Sequence, residues 1–137
     1  MSRYVLITPA HNEEAFIEET LRAVAAQTVR PVRWVVVNDA STDGTREIVE
    51  RYAREHSFIH LLNVERSSGR HFGNKVRAFN RGLEALRQVD YEYIGNLDAD
   101  ISFDADYVSS ILGELERDAS LGIAGGMVHT RFGDGFR

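Results

Sequence analysis

The sequence contains no cysteine, which excludes a disulfide framework and any metal site built on thiolates. This composition suits a cytoplasmic protein. No apolar run approaches the roughly 20 residues that span a bilayer, and no signal peptide is visible before the first apolar run. Proline is scarce too: Pro9 and Pro31 both fall at predicted element boundaries, where a missing N–H costs little.

The charge balance lacks the basic excess that nucleic-acid-binding proteins need. Basic residues number 16 and acidic residues 21, so the formal net charge is -5. We therefore expect no nucleic-acid partner. The 137 residues, 43% of them hydrophobic, suffice for a single globular domain over residues 1–137, since no repeat or linker divides them.

Short apolar runs alternate with amphipathic segments along the chain, which is typical of βαβ units. We therefore predict an α/β fold, a three-layer α/β/α sandwich with a mostly parallel, Rossmann-like sheet. The predicted strands cover residues 4–7, 32–37, 58–64, 91–97 and 121–128.

For two of the predicted helices, the sequence predicts how the helix begins and which residues lie on one face. Asn12 is expected to cap the first helix, with Glu13 and Glu14 in its first turn. The third helix is expected to follow a polar, basic loop at residues 65–74. Its apolar stripe would consist of Val76, Phe79, Leu83 and Leu86.

The turns after strands one, two and four hold most of the polar residues of interest. In a parallel sheet these turns, at residues 8–14, 38–45 and 98–104, lie at one edge, where open α/β sheets bind ligands. The first turn lacks the glycines of a dinucleotide fingerprint and the Gly-Lys of a P-loop, so the common nucleotide folds are disfavoured. The polar residues of this edge are Asn12, Glu13, Asp39, Asp43, Asp98 and Asp100.

Asp98 and Asp100 form the strongest candidate site. Alternation along an extended backbone sends both to one side, where two carboxylates repel unless a cation or water separates them. A hard divalent cation shared with substrate phosphates fits this pair. The alternative is a solvated turn in which Asp100 or Ser102 caps the next helix. His71 and His129 are further candidate metal ligands, although a lone histidine is more often a surface or capping group.

Asp39 and a group of basic residues are candidates for binding a nucleotide. Asp39, at the end of strand two, could accept an N–H from the edge of a base. The alternative is that Asp39 or Ser41 merely caps the second helix. The basic residues Arg66, Arg70 and Lys75 could bind a diphosphate, or could belong to an ordinary solvated surface.

Four segments together resemble the N-terminal, nucleotide-sugar-binding part of family 2 glycosyltransferases, which have the GT-A fold. Residues 5–14 (VLITPAHNEE) are similar to the family's opening I/V-P-x-Y/H-N-E-E. Residues 35–45 (VVVNDASTDGT) resemble its V-D-D-G/A-S-x-D-G-T, and residues 75–83 (KVRAFNRGL) its K-x-x-A-x-N-x-G-L. The DAD at residues 98–100 stands where the family has its metal-binding D-x-D.

The resemblance implies a role for each matched residue. Asp39 would bind the base, and Asp98 and Asp100 would form the catalytic pair. Asp98 would contact the ribose, while Asp100 would ligate Mn²⁺ or Mg²⁺ on the diphosphate. The implied nucleotide-binding set is Pro9, Ala10, Glu13, Asp39, Arg66, Lys75 and Asp98.

The implied activity is metal-dependent, inverting transfer of a sugar from a UDP- or GDP-linked donor to a glycan, a lipid carrier or a protein. A lipid-linked acceptor would bring the protein to the inner face of the membrane. A homodimer is a further expectation, because an unpaired sheet edge favours association.

Two departures from the family pattern stand out. Asn38 replaces the first acid of the Asp-Asp pair. The family's catalytic base is an Asp well beyond the D-x-D, whereas Asp134, the only acid after Asp118, comes too early. We therefore expect a truncated donor half that binds donor and metal but transfers sugar poorly or not at all.

Three other functions stay open. A sugar-phosphate nucleotidyltransferase would carry a glycine-rich, basic turn after strand one, unlike residues 8–11. A phosphatase of the haloacid-dehalogenase type would use an Asp-x-Asp after its first strand as nucleophile. A nucleotide-sugar-binding domain without transferase activity would keep the three aspartates and lack only the base.

Overall fold

The computed structural model describes residues 3–65, 71–117, 131–132 and 135–136. The predicted strand at 121–128 lies outside these ranges. None of the helices within them has the length and apolarity needed to cross a membrane. The elements in chain order are β1 (Tyr4–Ala10), α1 (Ile17–Ala25), β2 (Arg33–Asp39), α2 (Thr45–Glu55), β3 (Ile59–Val64), α3 (His71–Ala85), β4 (Tyr93–Asn96), α4 (Tyr107–Arg117), β5 (Arg131–Phe132) and β6 (Gly135–Phe136).

The first four strands form a parallel sheet in the order β3-β2-β1-β4, and β5 pairs with β6 as a separate antiparallel ribbon. Helices cover both faces of the parallel sheet, which confirms the predicted three-layer α/β arrangement. One core lies under α1, α2 and α4 and includes Leu6, Leu21, Trp34, Val36, Val49 and Leu112. The other lies under α3 and consists of Val5, Ile7, Val35, Val37, Ala78 and Leu86.

The third helix differs from the prediction in its start and in its inner face. α3 begins inside the segment predicted as a loop, and Val76 and Leu83 are 51% and 39% exposed. Gly82 instead faces the sheet, where a Cβ would lie 2.7 Å from Ile7 Cγ2. The helix therefore approaches the sheet through a small residue, which a search for large apolar residues overlooks.

β1 runs beyond its predicted end at Ile7, through Pro9 to Ala10. The Ile7 carbonyl accepts a hydrogen bond from the N–H of Leu97, on the β4 side, at 2.9 Å. By alternation, Pro9 faces the same side and has no N–H to donate. The ladder between β1 and β4 therefore ends here, directly before residues 98–100.

β4 is shorter and more exposed than the buried strand predicted over residues 91–97. It spans Tyr93–Asn96, and Ile94 is 40% exposed. Within the described ranges β4 pairs with β1 alone, so it is the edge of this sheet. As an edge strand, β4 has a partner strand on one side only among the described residues, which leaves it more open to solvent than the buried strand that was predicted.

Candidate functional site

The turn after β1 is bound to the turn after β2 by hydrogen bonds. Asn12 Oδ1 accepts from the Thr42 N–H at 2.8 Å, and Ser41 Oγ accepts from the Asn12 N–H at 3.0 Å. Thr45 Oγ1, at the start of α2, accepts from the Glu13 N–H at 2.8 Å. The two turns therefore hold each other in place at the carboxyl edge of the sheet.

The prediction that Asn12 caps α1 is wrong. α1 begins at Ile17 with Phe16 at its N-cap and no side-chain cap, and the acids of its first turn are Glu18 and Glu19. Asn12 has a φ of 54°, in the left-handed region that asparagine tolerates better than most residues. Its side chain binds the turn after β2 rather than the N-terminus of α1.

Asp43 fixes the start of α2. Its Oδ1 accepts from the Thr45 N–H at 3.0 Å and from the Thr45 hydroxyl at 2.5 Å, and its Oδ2 accepts from the Glu14 N–H at 3.2 Å. Burial alone would raise the pKa of Asp43, but these hydrogen bonds outweigh it and hold the pKa below its usual value. The N-cap of α2 is Gly44, so the alternative that Asp39 or Ser41 caps this helix is wrong.

Asp39, the candidate base-binding residue, is the last residue of β2 and is 5% exposed. His11 Nδ1 lies 2.6 Å from the Asp39 carbonyl oxygen, so this ring nitrogen carries the proton and donates it. The next residue, Ala40, has a φ of 55°. This conformation costs a residue with a Cβ roughly 1–2 kcal/mol, and such strain is concentrated at functional turns. Sequence reasoning missed the role of His11.

Asn38 departs from the family pattern for a reason visible in the structure. It is 4% exposed, its Nδ2 donates to Asn63 Oδ1 at 2.8 Å, and its Oδ1 accepts from the Ser41 N–H at 3.2 Å. An amide both donates and accepts here, whereas a carboxylate would only accept. Asn38 therefore links the ends of β2 and β3 and supports the turn that carries Asp39.

Asp98 and Asp100 directly follow β4 and are both exposed. Leu97 and Ala99 alternate with them and are only 9% and 3% exposed. The two carboxylates therefore share the outward side of the chain, as the sequence predicts. Their oxygens are the hard donors that a divalent cation prefers.

The segment after Asp100 is bound by Thr20 of α1, and Gln27, which follows α1, binds the start of α4. Thr20 Oγ1 binds both backbone groups of Ile101, and Gln27 Oε1 accepts from the Val108 N–H at 3.0 Å. Since α4 begins only at Tyr107, the alternative that Asp100 or Ser102 caps it is wrong. Thr20 and Gln27 were not singled out from the sequence.

The first and third turns of the edge meet at Glu13. Burial raises the pKa of its half-buried carboxyl; Asp100 and Asp98 raise the pKa further, while Lys75 lowers it. Charges perturb a carboxyl in this way only when they lie near it. The charges of Asp98, Asp100 and Lys75 therefore act on Glu13, which places all three within electrostatic range of this carboxyl.

The other candidates divide into two groups. Pro9 and Ala10 are buried at the end of β1, where β1 pairs with β2. Arg66, Arg70 and His129 lie outside the described residues, as does Asp134; His71 begins α3, but its side chain is not described. In the part of the chain that the structure describes, no three His, Cys, Asp or Glu side chains form a group able to hold a metal ion.

Comparison with known proteins places these features in a family. The sequence matches the family described as "Glycosyl transferase family 2" over residues 5–137. The putative teichuronic acid biosynthesis glycosyltransferase TuaG of Bacillus subtilis strain 168 is 34% identical over 95 residues, which cover 69% of this chain and 34% of that protein.

Solved structures of glycosyltransferases are similar to this chain as well. Mannosyltransferase PcManGT from Pyrobaculum calidifontis, in complex with GDP-Man and Mn²⁺, has a TM-score of 0.65 and 34% identity over 83% of this chain and 32% of its own. S. aureus TarS 1-349 in complex with UDP has a TM-score of 0.65 and 26% identity over 84% of this chain and 32% of its own. The chain thus spans about a third of the length of each relative. Its fold is of the GT-A type, and the chain belongs to glycosyl transferase family 2.

Proposed function

We propose that the carboxyl edge of the sheet binds a nucleoside-diphosphate sugar together with Mn²⁺ or Mg²⁺. The observation that carries this proposal is that the charges of Asp98, Asp100 and Lys75 act on Glu13, at the same edge of the sheet where Asp39 ends β2. The two solved relatives, one with UDP and one with GDP-Man and Mn²⁺, support the same ligand class. The chain would then be the donor half of a glycosyltransferase of cell-wall or polysaccharide biosynthesis, which the name of TuaG also supports.

Each residue of the edge has a chemical task in this proposal. Asp39 accepts an N–H from the base, and its burial strengthens that contact by excluding water. The Lys75 ammonium pairs with a phosphate. Asp98 contacts the ribose, and Asp100 holds the cation. Pro9, Ala10 and Glu13 line the pocket, and Arg66 approaches the phosphates.

The proposed reaction is displacement at the sugar carbon C1 with inversion. An acceptor hydroxyl attacks C1 while the bond from C1 to the phosphate oxygen breaks and leaves its electron pair on the nucleoside diphosphate. A bound divalent cation stabilises that developing charge. None of the residues named in this proposal is the base that takes the proton of the acceptor hydroxyl.

Calorimetry tests the binding step. UDP, GDP, UDP-GlcNAc and GDP-mannose are each titrated into the chain with Mn²⁺, with Mg²⁺ and with EDTA. We expect one nucleotide to bind in the micromolar range, and to bind at least tenfold more tightly with metal, because the cation shares the diphosphate charge. The double variant Asp98→Asn/Asp100→Asn should lose the metal dependence. Unchanged, still metal-responsive binding by this variant would refute the proposal.

A transfer assay separates the enzyme from a binding half. Release of free UDP or GDP in the presence of an acceptor measures transfer, and release without an acceptor measures hydrolysis. Binding without release would identify the chain as the donor-binding half alone.

We also propose a cytoplasmic location, at the inner face of the membrane where the acceptor is lipid-linked; cell fractionation tests this. The expected homodimer stays a prediction that sedimentation would measure.

A further inference from the structure

The DAD segment, residues 98–100, is held at both of its ends. Before it, the Leu97 N–H donates to the Ile7 carbonyl at 2.9 Å. After it, one hydroxyl binds both polar backbone groups of Ile101: Thr20 Oγ1 donates to the Ile101 carbonyl at 2.7 Å and accepts from the Ile101 N–H at 3.0 Å. The first clamp is the last hydrogen bond between β1 and the chain that continues from β4, and the second comes from a side chain of α1.

Thr20 makes this contact from within the hydrophobic core. It is 0% exposed, and Ile101 is 7% exposed. Its neighbours on the buried face of α1 are Ile17, Leu21 and Val24. Because solvent does not reach the hydroxyl, water would not replace it, and its removal would leave a buried N–H and a buried carbonyl without partners.

Among the residues that the structure describes, no backbone hydrogen bond joins residues 98–100 to another segment between these two clamps. Ala99 is the only one of their three side chains that is buried, while both aspartates point outward. A small shift of Ile101 would therefore move both carboxylates, and ligand sites need their groups within about 0.5 Å of the working geometry. We propose that Thr20 is a positioning residue for the carboxylates of Asp98 and Asp100; this inference rests on the proposed function.

Gln27 provides a matched control because it binds the same loop further from the aspartates. It is 4% exposed; its Nε2 donates to the Asp104 carbonyl at 2.7 Å and its Oε1 accepts from the Val108 N–H at 3.0 Å. Removing the Thr20 hydroxyl leaves the buried carbonyl and the buried N–H of Ile101 unpaired. Removing the Gln27 side chain leaves the buried Val108 N–H unpaired, whereas the Asp104 carbonyl keeps its bond from the Tyr107 N–H. Both variants should therefore lose stability, and only the Thr20 variant should disturb the ligand site.

The experiment compares Thr20→Val, which keeps the shape of the side chain, with Thr20→Ser, which keeps the hydroxyl, and with Gln27→Leu. UDP and GDP affinities are measured with Mn²⁺, and urea unfolding is measured in parallel. We expect T20V to weaken metal-dependent nucleotide affinity about tenfold, as the loss of supporting contacts around a metal site does. T20S and Q27L should stay within about twofold of the parent chain. No loss in T20V, or an equal loss in Q27L, would overturn the inference.

Amide hydrogen exchange gives a readout that needs no ligand. In T20V, the amide of Ile101, which donates to the Thr20 hydroxyl, should exchange about tenfold faster or more, and in T20S it should stay protected. Should T20V not fold, Thr20→Cys, with its weaker hydrogen bond, replaces it. If the parent chain binds neither nucleotide with Mn²⁺, the proposed function fails, and exchange alone decides whether Thr20 fixes the segment. Unchanged exchange in T20V would then refute that role.

Discussion

Glu14 Oε1 accepts a hydrogen bond from the Gly44 N–H at 2.5 Å and occupies the space that a Cβ on residue 44 would need. The φ of Gly44 is -83°, which any residue adopts, so glycine is needed for the close approach and not for its backbone conformation. This contact joins the turn after β1 to the N-cap of α2. It therefore stabilises the part of the edge that carries Asp39.

Gly44→Ala should lower the free energy of unfolding by about 1 kcal/mol, as the loss of a helix cap does. The added methyl group would displace the Glu14 carboxylate and leave the Gly44 N–H without it. Urea unfolding measures the change. In a Glu14→Ala background the same substitution should cost clearly less, because the clash is gone. A full, additive loss in that background would contradict this explanation.

Gly82 and Gly113 should respond to alanine in opposite directions. A Cβ on Gly82 would lie 2.7 Å from Ile7 Cγ2 and 3.1 Å from Val37 Cγ2, so Gly82→Ala should destabilise the protein by about 1–3 kcal/mol through overpacking. A Cβ on Gly113 would meet nothing within 4 Å, so Gly113→Ala should stabilise α4 by about 0.5–1 kcal/mol. Thermal unfolding compares the two. A loss of stability in the Gly113 variant would show that the packing of α4 is misjudged.

The parts of the fold that sequence predicts well are those fixed by local pattern. Apolar runs place the strands within a few residues. Asp98 and Asp100 are both exposed on either side of the buried Ala99, although residues 99–100 form a turn and not the extended backbone that was predicted. The position of the ligand edge follows from topology, because parallel strands bring their following turns to the same end of the sheet.

The parts that sequence misses depend on contacts between distant segments. Asn12 looks like a helix cap until its partner Thr42 is known, and Gly82 gives no apolar signal although it faces the sheet. Thr20 does give a signal in the sequence, because it is a polar residue on the otherwise apolar inner face of α1, next to Leu21. Such a residue must find a partner in the core, and only the fold identifies that partner as Ile101.

Asp43 should make stability depend on pH in the acid range. Its pKa in the folded protein lies below the unfolded value of about 3.9. The stabilisation is therefore complete above the unfolded pKa and is lost as the pH falls through the folded pKa. Asp43→Asn should cost about 1 kcal/mol at pH 7, because a neutral amide oxygen accepts more weakly than a carboxylate, and the difference from the parent chain should shrink below about pH 4. Urea unfolding from pH 3 to pH 7 measures the difference in the free energy of unfolding between the variant and the parent chain. A difference that does not change with pH would rule out the charge of Asp43 as its cause.

Asp39 and Asp100 should affect nucleotide binding in distinguishable ways. Asp39→Asn replaces the acceptor for the base and should weaken binding about tenfold or more both with Mn²⁺ and with EDTA, since a hydrogen bond to a charged group contributes roughly 1.5–3 kcal/mol. Asp100→Asn should leave the affinity in EDTA unchanged and abolish the gain on adding Mn²⁺. Calorimetry with both variants in both conditions makes the comparison, and circular dichroism checks their folding. Because Asp39 is buried and Asp100 is exposed, loss of fold is a concern for the first variant only. If Asp39→Asn instead removed the response to Mn²⁺, the two residues would share the cation and the assignment of Asp39 to the base would be wrong.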